Sequence, residues 1–166
     1  MSVSRILALA SAVFLHGCSV EKFYFPIDFS EVEEERASFN ITREGDYYFG
    51  LVFPHDFEFH SEEERRFFEA LSGGVGRKGV PVSLFLEVKK GDKVIFSGTV
   101  ERSGSDGVIG VALGQEREER TATLRDLKVL KLEKGEYEIE YLNNYAAKEL
   151  DGIDSYIVVF FYKPKV

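Results

Sequence analysis

Ala37-Ser38-Phe39-Asn40-Ile41-Thr42-Arg43-Glu44-Gly45-Asp46-Tyr47-Tyr48-Phe49-Gly50-Leu51-Val52-Phe53 carries the plainest pattern in the chain. Ala37, Phe39 and Ile41 alternate with polar residues. After Arg43-Glu44-Gly45-Asp46 the alternation resumes with Tyr47, Phe49, Leu51 and Phe53. Successive side chains of an extended chain point to opposite faces, so each apolar set lies on one face of a strand. Gly45 can take the positive φ of a tight turn, and the stretch predicts a β-hairpin whose return strand stops at Pro54.

The same period recurs on both sides. Phe23, Phe25, Ile27 and Phe29 alternate, and Pro26 among them marks an edge strand because it has no N–H to donate. Val82, Leu84, Leu86 and Val88 alternate up to a Gly91-Asp92 turn, and Val94 and Phe96 open a partner strand. Residues 108–113 read as a short strand inside a Gly-rich stretch, and the charged residues 116–120 as a solvated loop. Leu130 and Leu132 lead through Glu133-Lys134-Gly135 to Tyr137, Ile139 and Tyr141, which predicts a second hairpin. Residues 156–162 are continuously apolar, as in a central strand buried on both faces.

One segment has helical periodicity. Ser61 with Glu64 three residues later forms a capping box, acids fill the first turn, and Phe67, Phe68 and Leu71 share a side before Gly73. About eight strands and one helix give an all-β chain, an antiparallel two-sheet β-sandwich with one short helix. Fifteen Phe and eight Tyr, against one Met and no Trp, suit pleated sheets.

The N-terminus reads differently. Arg5 precedes an uncharged apolar run over residues 6–15, and Leu15-His16-Gly17-Cys18-Ser19 follows. The run falls short of the roughly 20 residues of a spanning helix. The motif resembles the bacterial lipobox: leucine at −3, a small residue at −1 and a cysteine, here the chain's only one. The resemblance implies signal-peptide cleavage between Gly17 and Cys18 and lipidation of the Cys18 thiol. A lipid-anchored protein of the bacterial envelope is then expected, at the outer membrane facing the periplasm because Ser19 is not aspartate. The divisions are residues 1–17 as signal peptide, 18–30 as lipidated N-terminus and first strand, and 31–166 as the sandwich domain.

Residues 1–17 hold Arg5 and no acid, so their removal takes the formal net charge from −8 to −9. Such a charge opposes nucleic acid and anionic lipid and leaves a basic protein as the expected partner. Asp56, Glu58 and His60 share one side of an extended segment, an O,O,N set too sparse to fix a metal. Gly73-Gly74-Val75-Gly76-Arg77-Lys78-Gly79 follows a helix, and Lys78 precedes Gly, so it is no phosphate-binding loop. No Gly-x-Ser-x-Gly elbow is present. No catalytic residue, metal ligand, cofactor or small-molecule ligand is therefore assigned.

Phe39-x-Ile41, Gly45-Asp46-Tyr47-Tyr48-Phe49, the acidic helix at Glu62-Glu63-Glu64, Val80-Pro81-Val82 and Gly135-x-Tyr137 follow one another in an order that resembles a family of bacterial lipoproteins known only as a domain of unknown function. The resemblance spans residues 23–163 and implies a β-sandwich in the envelope. The role expected is a non-catalytic binding or structural module at the membrane. An immunity protein neutralising an exported toxin is the alternative, and a metal-dependent hydrolase the third.

Overall fold

The computed structural model describes residues 21–55, 61–73, 78–113 and 118–163, without the side chains of residues 63, 64, 70, 118 and 119. Its strands are β1 (Lys22–Pro26), β2 (Glu34–Ile41), β3 (Gly45–His55), β4 (Pro81–Lys90), β5 (Lys93–Ser103), β6 (Gly107–Leu113), β7 (Glu118–Leu132), β8 (Gly135–Asn143) and β9 (Tyr156–Phe161). Helix α1 (Glu62–Ser72) follows β3, and a 3-10 turn covers Lys148–Leu150. Two antiparallel sheets result, one ordered β1-β9-β3-β7-β6 and the other β2-β8-β4-β5. This is the expected all-β sandwich with one helix.

Between the sheets lies the main core. Phe25, Phe39, Phe49, Leu51, Phe53, Leu84, Leu86, Ile139 and Ile157 are buried there. Phe39 joins the sheets, stacking on Tyr137 at 5.6 Å within its own sheet and meeting the edge of Phe49 at 6.4 Å across the gap. β1 is an edge strand, as Pro26 requires, and β9 lies inside its sheet with Ile157, Val158 and Val159 all buried.

A second core lies on the other face of the five-stranded sheet. Tyr48, Val52, Val111, Ala122, Leu124 and Val158 form it. The sheet curls around this cluster, so that side chains of its two edge strands reach one another. The Lys22 ammonium on β1 donates to the Gly110 carbonyl on β6 at 3.2 Å, and the Tyr24 hydroxyl is buried beside the Ala112 backbone.

Neither predicted hairpin at Gly45 or Gly135 exists. β2 pairs with β8 while β3 pairs with β7 and β9, so residues 42–44 arch from one sheet to the other. The β7–β8 connection is the reverse arch. Facing strands of a sandwich show a common core the same alternation that paired strands do, and hydrogen bonding alone separates the two cases. Both arches carry Gly-x-Tyr and are sealed alike. The Tyr47 hydroxyl donates to the Arg43 carbonyl at 2.8 Å, and the Tyr137 hydroxyl donates to the Glu133 carbonyl at 3.1 Å. A Cβ on Gly45 would lie 2.4 Å from the Phe161 ring, so glycine is required for close approach rather than for a hairpin turn. The hairpin at Gly91-Asp92 forms as read, and β6–β7 is a further one.

Two more expectations change. β3 runs through Pro54 to His55; β9 ends its pairing at Val52, so one side of Pro54 is open and its missing N–H is tolerated. Residues 118–120 belong to β7 rather than to a solvated loop. Its first half escaped the sequence reading because of a bulge. Lys128 faces Phe49 and Asp126 faces Gly50, which leaves Leu127 without a partner. The bulge shifts the parity, so Arg125 and Leu127 on one side of it and Leu130 and Leu132 on the other all face the main core.

Phe49 has no exposed surface, so Phe49→Ala should cost about 3–5 kcal/mol in urea unfolding. Val129→Ala, at a site 44% exposed, should stay within about 0.5 kcal/mol. Equal losses at the two sites would reverse the assignment of faces.

Candidate functional site

The end of the sandwich that gathers α1, the 103–107 loop and the 143–155 loop is organised by one buried cation. Arg125 on β7 has no exposed surface. Its two terminal nitrogens donate to the Leu71 and Val80 carbonyls, each at 2.7 Å, and its guanidinium carbon lies 5.0 Å from the centre of the Phe53 ring. Leu71 is in the last turn of α1, and that turn has no basic residue. Arg125 therefore supplies, from another element, the cation that the helix C-terminus favours. Burial pushes its pKa down to about 10, and the negative charge of Asp106 opposes the shift. It stays protonated at neutral pH.

The surroundings lock around this contact. Ser105 N–H donates to the Ser72 carbonyl at 2.9 Å, which ties the 103–107 loop to the helix end. A Cβ on Gly79 would stand 2.4 Å from the Leu71 carbonyl and 2.6 Å from Gly104 Cα, so three backbone segments touch here. Asp106 N–H donates to the Leu124 carbonyl, and Asp126 N–H donates to the Asp106 carboxylate at 2.8 Å. The Tyr48 hydroxyl donates to Asp126, and burial together with these carboxylates raises its pKa far above the ordinary tyrosine value. Arg102 on β5 donates to the Asp126 carbonyl at 2.6 Å and joins the two sheets at the bulge.

Asparagines hold the 143–155 loop. Asn143 Nδ2 donates to the Glu31 carbonyl at 3.1 Å, and Asn144 Nδ2 donates to Ser83 Oγ at 2.9 Å. Ala147 N–H donates to the Phe29 carbonyl at 2.8 Å. The loop is thus backbone-anchored, with Asp151 and Asp154 exposed on it. Glu31, Glu33, Glu62 and Glu69 add exposed carboxylates at the same end. Arg65 pairs with Glu62 and Glu69 on the helix surface, exposed contacts that contribute little to stability.

The sequence-based sites fall mostly elsewhere. Gly17 and Cys18, the Asp56, Glu58 and His60 set, and residues 74–77 lie outside the described residues. His55 is on β3 with its ring 4.7 Å from Phe68 of α1. Ser61 stands before α1, where its carbonyl accepts Arg65 N–H at 3.2 Å, while the Glu64 side chain lies outside the described residues. Among the described residues no three His, Cys, Asp or Glu are grouped as a metal site, and no helix is long and apolar enough to cross a membrane. Sequence reasoning missed Arg125. Its one signal is its place after Thr121 and Thr123 on the face that Leu127 continues.

A family model matches residues 24–161. The chain belongs to the DUF5625 family, a domain of unknown function. Its matched span opens inside β1 and closes with β9, so it covers every element described above except the first two residues of β1. Among solved structures, the crystal structure of GEBA250068378 from Sulfurospirillum deleyianum is similar, with a TM-score of 0.60 over 87% of this chain and 99% of that chain. At 16% identity the likeness is one of fold. No curated protein matches the chain.

Arg125→Ala would strip charged donors from the Leu71 and Val80 carbonyls; bonds of this kind contribute about 1.5–3 kcal/mol each, and relief of the buried charge offsets part of the sum. A loss of about 2–4 kcal/mol is expected in urea, with hydrogen exchange accelerated first in α1. Arg125→Lys keeps the charge without the fork and should recover only part of the loss. Unchanged exchange in α1 would show that Arg125 does not hold the helix.

Proposed function

We propose that this protein is an envelope lipoprotein, acylated on Cys18 after cleavage behind Gly17, whose sandwich presents a non-catalytic recognition surface. The observation that carries the reading is the opposition of two ends. The chain enters the fold at Glu21, whose carboxylate accepts from the Tyr47 hydroxyl at 3.1 Å beside the Arg43 arch. Cys18 is three residues earlier. The acidic loops and α1 stand at the other end of the strands. An anchor near one end leaves the other presented to the periplasm.

The polar groups of that presented end support binding rather than turnover. Arg125, Asn143 and Asp106 are each engaged by backbone, and engaged groups hold loops in place. Loops on a rigid scaffold are where recognition concentrates. Asp151 and Asp154 are exposed on the same loop as Tyr145, which is 40% exposed, and these suit a partner with a basic surface. Ser19 after the cysteine, instead of aspartate, favours the outer membrane.

Fatty-acid labelling of the wild-type protein and of Cys18→Ser tests the anchor: label is expected on the wild type alone, and an unlabelled, uncut wild type overturns it. Capture from detergent-solubilised envelope tests recognition. Asp151→Asn with Asp154→Asn, or raised salt, should slow association with the captured partner, because charges beyond about 8 Å are screened at physiological ionic strength. Rates indifferent to both would remove the acidic end as the contact surface.

A further inference from the structure

We infer that the 27–33 connection and the 143–155 loop form one plate that receives an arginine- or lysine-rich segment of a partner protein, a segment that also carries an aromatic or apolar residue. The inference rests on the recognition reading above and does not depend on the anchor. Hydrogen bonds fuse the two stretches. Ile27 N–H donates to the Ser155 carbonyl at 3.0 Å, Ala147 N–H to the Phe29 carbonyl at 2.8 Å, and Asn143 Nδ2 to the Glu31 carbonyl at 3.1 Å. Ile27, Phe29, Ala147 and Leu150 are buried beneath. The surface is therefore held in shape before a ligand arrives, and little ordering entropy is lost on binding.

Charge on the plate does not cancel. Residues 28–36 hold five acids and one base, residues 143–155 three acids and one base, and all eight acids are exposed. Eight against two leaves a net −6, most of the chain's formal −8. Of the two bases, Arg36 is already paired with Glu34 at 2.8 Å and Glu140 at 3.1 Å. Among the described residues no three His, Cys, Asp or Glu are grouped to hold a metal ion. Carboxylates this dispersed suit the spread cations of a peptide rather than one divalent ion, which gathers its oxygens closely. Asn143 makes an independent demand. It is 1% exposed, its Nδ2 is engaged by the Glu31 carbonyl, and its Oδ1 has no donor. A buried acceptor left without a donor is costly. The Nδ2 bond turns the amide toward the seam between the two stretches, and a guanidinium or ammonium on a long stem would supply the donor there. Val32, 59% exposed, follows Glu31, and Tyr145, 40% exposed, comes two residues after Asn143. The Asn143–Glu31 bond thus brings an aliphatic and an aromatic side chain into one acidic surface. A tyrosine face attracts a guanidinium, and Val32 offers apolar contact to the residue between the cations.

The chain contains no tryptophan, so a tryptophan placed in the ligand reports alone. The probe is a synthetic peptide of lysine, arginine, tryptophan, arginine and lysine in that order, titrated with the whole chain at low salt. A saturable blue shift of its emission is expected, and none with a peptide whose four cations are replaced by glutamate. Glu31→Gln with Glu33→Gln should weaken binding about fivefold, since each exposed ion pair contributes modestly. Glu136→Gln with Glu138→Gln makes the same change of net charge on exposed positions of β8, about 16 Å or more along the strand from Asn143. That pair should weaken binding by less than about twofold, because charge at such a distance is screened. Val32→Ser should remove most of the blue shift. No saturable binding, equal weakening by the two charge pairs, or an emission shift indifferent to Val32→Ser overturns the inference. Loss of binding with Asp151→Asn and Asp154→Asn but not with Glu31→Gln and Glu33→Gln also overturns it and leaves the recognition reading standing. That reading is sunk separately, by an envelope-captured partner indifferent to both charge and salt.

Discussion

Strand β3 must be buried on both faces, and much of the architecture follows from that demand. Tyr47, Phe49, Leu51 and Phe53 fill the space between the sheets, while Tyr48 and Val52 on the opposite face are also buried. A flat sheet would leave that second set in water. Curling of the five-stranded sheet gathers a second apolar cluster around it, with the Lys22 side chain of β1 reaching the Gly110 carbonyl of β6. Gly50 makes room there: a Cβ would stand 2.7 Å from the Tyr48 ring and 2.8 Å from Leu124.

A strand buried so completely cannot accept β2 as a neighbour, because β7 and β9 already occupy its two edges. The chain therefore crosses between sheets at both Gly-x-Tyr arches. Each tyrosine binds the carbonyl four residues before it, which closes the arch without a hairpin's ladder. At the other end Arg125 on β7 donates to the Leu71 carbonyl in the last turn of the helix. Burying a guanidinium is costly, and here carbonyl acceptors and the Phe53 ring offset the cost.

The two ends consequently differ in character. The arches are short, tyrosine-sealed and rich in lysine. The opposite end holds the longer loops and the helix, gripped by Arg125, Asn143 and Asn144, with exposed carboxylates upon them. An even distribution of the same residues would give the same net charge and no polarity. Strand direction makes the difference, since it sends the 42–44, 91–92 and 133–134 connections to one side.

Strands, helix and fold class were legible in the sequence because alternation and capping are local signals. Phe39 with Ile41, and Tyr47 through Phe53, announce their buried faces unaided, and Pro26 announces an edge. The lipobox-like run at Cys18 is equally local. Pairing was not legible, because inward faces of opposed strands and of adjacent strands obey one period; both Gly-x-Tyr arches read as hairpins for that reason. The first half of β7 was hidden by the bulge at Leu127, which breaks the parity that alternation depends on. Arg125 and the polarity of the two ends belong to the tertiary structure alone. The partners of Arg125 are carbonyls distant in the chain, and the arch lysines meet only when the strands are aligned.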